Sequence, residues 1–98
     1  MSMDEHLYIV SYDIRSDRRW RKVFKIMKGY GEWLQFSIFQ CQLSKMRLVR
    51  LRGALEQEIK HDEDHVLIMD LGVAGAIKPK IQSLGLPFKP VSTESIVV

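Results

Sequence analysis

The hydrophobic pattern of the chain centres on residues 7–14, a short run that is apolar on both of its alternating faces. One face carries Leu7 and Ile9, and the other carries Tyr8, Val10, Tyr12 and Ile14. A strand with one solvated face would alternate cleanly between apolar and polar residues. The run therefore predicts a central strand that is covered on both faces and presents one carboxylate, Asp13, near its end.

The next stretch predicts a helix that is capped by Ser16 or Asp17 and runs to about Lys28, where Gly29 stops it. At about 100° per residue, one arc of this helix is apolar and the opposite arc is basic. The apolar arc holds Trp20, Val23, Phe24, Ile26, Met27 and Tyr30, and the basic arc holds Arg18, Arg21, Lys22, Lys25 and Lys28. Arg19 lies between the arcs, so its guanidinium could reach back toward the strand end that carries Asp13.

The remaining elements are four strands and a second helix. Residues 32–43 are rich in aromatic and β-branched types, but their alternation changes near residues 35–37, which predicts two tightly joined strands. Ser44 is a cap for a helix that extends to about Lys60. Residues 61–65 are interpreted as a solvated turn, residues 66–71 as a strand, and residues 76–84 as a short irregular or helical turn. Residues 94–98 predict a final strand.

This order of elements predicts an α+β fold, with residues 1–98 as a single ferredoxin-like domain (β-α-β-β-α-β) and an additional C-terminal strand. Two helices cover only one face of such a sheet. Because the first strand is apolar on both faces, we expect a second copy to cover the other face, giving a homodimer with its sheets face to face. The additional strand would then join a sheet edge of either copy.

Composition restricts the class of protein further. A hydrophobic content of 46% and a charged content of 28% indicate a folded chain, and the net charge of +3 is only mildly basic. A single cysteine, Cys41, excludes an internal disulfide and is expected to be buried. With neither a signal-peptide pattern nor an apolar run of about 18 residues, we expect a reduced, cytoplasmic protein.

Asp13 is the main candidate for chemistry. Mg²⁺ and Mn²⁺ are bound through one or two carboxylates together with water and substrate phosphate. One aspartate supplies few ligands, but a dimer axis near the end of the first strand would let two copies of Asp13 share one ion. The alternative is that Asp13 is a turn residue that accepts hydrogen bonds from nearby backbone amides.

Two further groups of side chains are less informative. Aromatic rings can stack on nucleobases, but we expect core packing for most of them and an exposed position only for Trp33. These aromatic candidates are Tyr8, Tyr12, Trp33 and Phe39. The polar residues 61–65 match no zinc-ligand spacing. The sequence contains no glycine-rich phosphate loop, nucleophilic-serine motif or dinucleotide fingerprint.

Three segments together resemble a known family, the small CRISPR-associated protein two. They are Tyr-Asp-Ile at residues 12–14, the helix region 19–23, and Gly-Glu-Trp-Leu-Gln-Phe-Ser-Ile-Phe-Gln-Cys-Gln-Leu at residues 31–43. The family reads Tyr-Asp-Ile or Tyr-Asp-Val, then Gly, a basic or polar residue, an aliphatic, Gln, any residue and Ser-Val-Phe-Glu. The resemblance covers residues 6–71. Two positions depart from the family, with Trp33 in place of a basic residue and Gln40 in place of glutamate.

The resemblance implies a ferredoxin-like homodimer that binds the CRISPR-associated integrase subunit, holds duplex DNA on its basic surface and supports spacer acquisition. Some members cleave single-stranded RNA or double-stranded DNA with Mg²⁺, using the first-strand aspartate of both subunits. The resemblance also implies that Asp13 is the metal ligand, that Asp13, Tyr12 and Arg19 have catalytic roles, and that Ser37 and Phe39 support the cleft. The residues expected to contact nucleic acid are Arg15, Arg18, Arg19, Arg21, Lys22 and Lys25.

Three hypotheses follow from the sequence. The first is a dimeric adaptation protein with Mg²⁺-dependent endonuclease activity at paired Asp13 residues. The second is a structural adaptor of the integration complex in which Asp13 is only a turn residue. The third is a toxin-like ribonuclease of the same fold, related to virulence-associated protein D, that works without an integrase partner.

Overall fold

A computed structural model describes residues 5–85 and contains the helices and strands in the expected order. They are β1 (His6–Asp13), α1 (Asp17–Lys28), β2 (Gly31–Gln35), β3 (Ile38–Leu43), α2 (Lys45–Glu58) and β4 (His65–Val73), followed by a 3₁₀ turn (Ala74–Ala76). Strand β4 is longer than predicted at both ends, and residues 77–85 form no helix or strand. The strand predicted at residues 94–98 lies outside the described residues.

The helix starts are confirmed, and each depends on a serine cap. The Ser16 hydroxyl accepts a hydrogen bond from the Arg19 amide at 3.3 Å, and the Ser44 hydroxyl accepts one from the Arg47 amide at 3.2 Å. Each bond satisfies an amide that has no partner within its own helix. Helix α1 ends at Gly29, whose amide donates to the carbonyl of Ile26.

The four strands form one antiparallel sheet in the order β2-β3-β1-β4, which is the order of the predicted ferredoxin-like fold. The central position of β1 is confirmed, since it pairs with β3 on one side and β4 on the other. Strands β2 and β3 join at Phe36 and Ser37, which is where the alternation of the sequence changes. At the end of β1, Asp13 is paired with His65.

Both helices pack on one face of the sheet and form a single core with it. The largest fully buried side chains are Phe39, Met27, Leu43, Leu51, Val10, Val23 and Cys41, drawn from β1, β3 and both helices. Cys41 is therefore buried as predicted, and burial raises the pKa of its thiol to about 12. None of the helices in the described residues is long and apolar enough to cross a membrane.

The opposite face of the sheet is only partly covered by residues 5–85. The register with β1 places two apolar residues of β4 there, Leu67 and Met69, and they remain 49% and 44% exposed. Leu71 and Val73 are also exposed, but they lie at and beyond the bulge in β4, where the register with β1 shifts. In β1, Leu7 is buried and Ile9 is half-buried. The prediction that both faces of β1 are covered is thus met by the described residues on the helix side, and an apolar strip stays accessible on the other.

Candidate active site

Asp13 is the last residue of β1 and presents an accessible carboxylate. Because Tyr12 faces the helices, the alternation of the strand places Asp13 on the side of the open face. Its side chain is 66% exposed, and the nearest cation is the equally exposed guanidinium of Arg15, 3.6 Å from Oδ2. An ion pair this long and this exposed holds its partners weakly. The carboxylate is therefore available to a ligand.

Tyr12 lies behind Asp13 in the core rather than in solvent. It is 4% exposed, and its ring packs against those of Trp20 and Phe39, with centroids 6.2 and 6.3 Å away. Burial raises the pKa of its phenol, and its buried hydroxyl has no hydrogen-bond partner among the described residues. Tyr12 and Phe39, the latter fully buried, thus form an apolar support for the end of β1.

Ser37 joins the β2–β3 turn to the same place. Its hydroxyl accepts a hydrogen bond from Trp20 Nε1 at 2.8 Å, and its carbonyl accepts one from the Tyr12 amide at 3.1 Å. These bonds close one side of a cleft of about 310 Å³ beside Asp13, which Trp20 and Phe36 also line. The structure therefore brings together three of the predicted site residues, Tyr12, Asp13 and Ser37.

Arg19 reaches the end of the sheet that carries Asp13, but it pairs there with Asp64 and not with Asp13. Its Nε donates to Asp64 Oδ2 at 2.7 Å, and its Nη2 donates to Asp64 Oδ1 at 3.1 Å and to Glu63 Oε1 at 3.0 Å. The bidentate pairing with Asp64 suits the planar guanidinium and fixes its orientation. Arg19 therefore stabilises the start of α1 against the turn before β4.

Asp64 is buried, whereas the sequence predicts that all of residues 61–65 are solvated. Its side chain is fully buried and accepts two further hydrogen bonds, from the amides of Arg15 at 3.0 Å and Lys60 at 2.8 Å. The hydrogen bonds from Arg19, together with those two amides, hold the pKa of Asp64 well below its usual range. One signal was available, since antiparallel pairing of β4 with β1 places the start of β4 beside the end of β1.

The chemistry of Asp13 suits a hard divalent cation, although one chain offers few ligands. Among residues 5–85, no group of three or more His, Cys, Asp or Glu side chains could hold a metal ion. Mg²⁺ is commonly held by one or two carboxylates with water completing its coordination. His65, interpreted from sequence as part of a turn, is the first residue of β4 and lies opposite Asp13.

The basic arc of α1 is exposed along its whole length, as its periodicity predicts. Its members are Arg18, Arg21, Lys22, Lys25 and Lys28. Two of them have neighbours, since Lys22 Nζ lies 3.8 Å from Glu58 Oε1 and Lys28 Nζ lies 5.6 Å from the centre of the Phe24 ring. Such exposed contacts are easily exchanged for phosphate. The arc is a continuous cationic surface, hereafter the basic face.

Among residues 5–85, the exposed residue of the Phe, Tyr and Trp types is Phe36 and not Trp33. Trp33 is half-buried, donates from Nε1 to the Phe36 carbonyl at 3.0 Å and packs edge-on against Phe24. The side chain of Phe36 is 72% exposed, and its backbone has φ +30°. Sequence alternation missed this position because the tight turn interrupts it.

Comparison with known proteins agrees with this architecture. The family model described as CRISPR associated protein Cas2 matches residues 6–75. A protein named CRISPR-associated endoribonuclease Cas2 from Geobacter sulfurreducens is 52% identical over 96% of this chain and 99% of its own length. CRISPR-associated endoribonuclease Cas2 1 from Rhodospirillum rubrum is 44% identical over 96% of this chain and 92% of its own.

A solved structure gives the same result in three dimensions. The crystal structure of Streptococcus pyogenes Cas2 superposes with a TM-score of 0.70 at 26% identity, covering 81% of this chain and 99% of that one. Sequence and fold agree, and the resemblance found in the Tyr-Asp-Ile and Gln-Phe-Ser-Ile-Phe segments is confirmed. The chain belongs to the Cas2 family of CRISPR-associated proteins.

Proposed function

We propose that this chain is an adaptation subunit that acts as a homodimer, binds nucleic acid and cleaves phosphodiester bonds with a divalent cation at paired Asp13 residues. The observation that carries the proposal is the accessible carboxylate of Asp13, at the end of the central strand and on the side of the open sheet face. The relatives named endoribonucleases support cleavage of RNA, and single-stranded RNA is therefore the first substrate to test, with duplex DNA second.

The homodimer is supported by the open face of the sheet. Leu67 and Met69 are exposed neighbours on this face, and adjoining exposed apolar side chains favour an interaction surface. A second copy fits it because a two-fold axis pairs an apolar patch with itself. Since Asp13 lies at the margin of this face, an axis near the end of β1 brings two carboxylates together and doubles the number of ligands.

The residues around Asp13 have different roles in this proposal. Asp13 from both subunits would hold Mg²⁺ or Mn²⁺, which when bound offsets phosphate charge and lowers the pKa of bound water. Arg15 is exposed beside Asp13 and is free to pair with a phosphate oxygen. Tyr12 and Arg19, expected from sequence to be catalytic, support the site from behind, the first through packing and the second through Asp64.

The basic face provides the surface for the sugar-phosphate backbone. A helix of 12 residues is about 18 Å long, which spans about five base pairs of duplex DNA. Five cations over that length can contact several phosphates, and phosphate contacts of this kind are independent of sequence. That independence suits a protein that handles captured DNA of any sequence. We propose that the integrase subunit and the duplex are both partners of the dimer.

Cleavage is tested with Asp13→Asn, which keeps the shape of the side chain but removes its charge. The variant and the parent are assayed on single-stranded RNA and on duplex DNA, with and without Mg²⁺. We expect at least about a 100-fold lower rate for the variant, because a cation contributes several kcal/mol to phosphoryl chemistry. Asp62→Asn, an exposed acid in the turn before β4, is the matched control and should keep the parent rate.

Undiminished cleavage by Asp13→Asn would refute the metal assignment. If the parent protein cleaves neither substrate under any condition, the structural adaptor becomes the better hypothesis.

Binding by the basic face is tested through salt dependence. Replacing Arg18, Arg21 and Lys25 with glutamine should make duplex DNA binding less dependent on salt. The slope of log affinity against log salt concentration should become less steep by about 2.7, since each phosphate contact contributes about 0.9 to it. A control triple variant removes the same charge from exposed lysines elsewhere, namely Lys45, Lys78 and Lys80. Equal slopes for the two triple variants would exclude α1 as the binding surface.

A further inference from the structure

We propose that the cleft beside Asp13 binds one unpaired nucleobase that carries an exocyclic amino group, with Phe36 as its stacking surface. The inference rests on the proposed function, since the base belongs to the strand whose phosphodiester Asp13 would address. The cleft measures about 310 Å³, at the lower end of small-molecule sites, and so has room for a single base.

A stack of aromatic rings leads to this cleft and ends at its surface. Phe24 and Trp20 are stacked with centroids 5.2 Å apart at 12°, and Trp20 and Phe36 follow at 5.3 Å and 29°. Phe36 is the outermost ring and remains 72% exposed, so one of its faces is covered by Trp20 and the other is free. A nucleobase on the free face would extend the stack, which is how proteins hold unpaired bases.

The backbone at Phe36 indicates that the ring is placed there against a local preference. A φ of +30° lies in the left-handed region, which side chains other than glycine rarely adopt. The hydrogen bond from Trp33 Nε1 to the Phe36 carbonyl holds this conformation. Glycine would relieve the strain but would remove the ring, and strained residues of this kind concentrate at binding sites.

The polar lining selects for hydrogen-bond donors. The cleft is lined by the carboxylates of Asp13 and Asp17, and both side chains are exposed. An ionised carboxylate only accepts hydrogen bonds, so it favours a base edge that donates them. Adenine, cytosine and guanine each have an exocyclic amino group, whereas uracil has none and presents one N3–H donor between two carbonyl oxygens.

The two carboxylates then have separate tasks. Asp17, in the first turn of α1, takes the base edge, and Asp13 is left for the cation and the phosphate. A base held on Phe36 places the adjoining phosphodiester near Asp13, so the cleft positions the bond for cleavage and also selects the base beside it.

The experiment uses the full chain in EDTA, where metal-dependent cleavage cannot occur. The probe is a short uridine RNA with one internal 2-aminopurine, whose fluorescence is quenched by stacking, and a terminal fluorescein, whose anisotropy reports binding of the strand. We expect quenching with the parent and with Phe36→Tyr, and none with Phe36→Ala, which should bind roughly 5- to 150-fold more weakly. Val49→Ala, an exposed apolar residue of α2, should behave as the parent.

The readouts separate the two proposals. If anisotropy shows binding but 2-aminopurine is not quenched, or is quenched equally by Phe36→Ala, the base site is refuted and the proposed function is unaffected. If the parent gives no anisotropy change, nucleic-acid binding fails and the base site fails with it. Asp17→Ala should also lose the preference for the 2-aminopurine strand over the same strand with unsubstituted purine at that position, and a retained preference would refute the role of Asp17.

Discussion

Removing the carboxylate of Asp64 should cost this protein more stability than removing any other acid of the same turn. The side chain of Asp64 is fully buried and accepts four hydrogen bonds, two from the Arg19 guanidinium and one each from the amides of Arg15 and Lys60. In Asp64→Ala all four are lost at once, and the start of α1 is no longer tied to the start of β4.

The size of the effect follows from the burial of the pair. Removing one partner of a buried ion pair typically costs 3 to 5 kcal/mol, and we take about 3 kcal/mol because the Arg19 side chain is 19% exposed and regains some water. In a domain of this size, 1 kcal/mol shifts the midpoint of thermal unfolding by about 4 to 8 °C. The expected decrease in Tm is therefore roughly 12 to 24 °C at neutral pH.

The effect should also depend on pH, in a direction that the pKa of Asp64 determines. Hydrogen bonds from Arg19 hold this pKa below its usual range, so the folded state binds the proton more weakly than the unfolded state does. The stabilisation is complete above the unfolded pKa of about 3.9 and is lost as pH falls below it. The difference in unfolding free energy between parent and Asp64→Ala should therefore shrink from pH 7 toward pH 3.

Thermal and denaturant unfolding, each followed by circular dichroism, measure both effects. Asp62→Ala is the matched control, because its side chain is exposed in the same turn, and its Tm should stay within roughly 4 °C of the parent. A Tm for Asp64→Ala no lower than that of Asp62→Ala would refute the reasoning. So would a stability difference that grows as the solution is acidified.

Two other substitutions test the assembly and the packing. Met69→Glu, on the open sheet face, should convert a dimer to a monomer, as measured by light scattering. The control Met46→Glu, at an exposed position of α2, should remain a dimer. A dimer that survives Met69→Glu argues against face-to-face pairing. Gly31→Ala should lower the free energy of unfolding by about 1 to 3 kcal/mol, because its Cβ would clash with the Gln40 carbonyl and Cys41 Sγ. Gly53→Ala, with open space around it in α2, should instead raise stability by about 0.5 to 1 kcal/mol, and equal effects in the two variants would contradict the clash.

The fold was accessible from sequence because its signals are local. The periodicity of α1, the serine caps and the change of alternation at residues 35–37 each depend on neighbouring positions, and together they specify the elements and their order. The central place of β1 also followed, since a strand that is apolar on both faces cannot lie in water. The apolar second face of β1 predicted that another chain covers it, and the proposed homodimer would provide that chain.

The site was only partly accessible because its contacts are not local. Asp64 and Arg19 are 45 positions apart, and nothing in the acidic residues 61–65 distinguishes the one that is buried. The exposed ring of Phe36 was also missed, because a positive φ in a tight turn redirects a side chain in a way that alternation does not describe. Asp13 could be named as a candidate because an acid at the end of an apolar strand is visible in the sequence itself.

The two aspartates near the start of α1 are complementary, and their difference explains why Asp13 is available. Asp64 binds the partly buried guanidinium of Arg19 in a bidentate pair, which satisfies the only arginine of this junction that is largely shielded from water. Asp13 is left with Arg15, at 3.6 Å and in solvent, where an ion pair is worth little. Because Asp64 occupies the guanidinium of Arg19, the carboxylate of Asp13 has only a weak ion pair and can bind a ligand. Asp13 therefore keeps an uncommitted carboxylate beside Arg15, because Asp64 has already paired with Arg19.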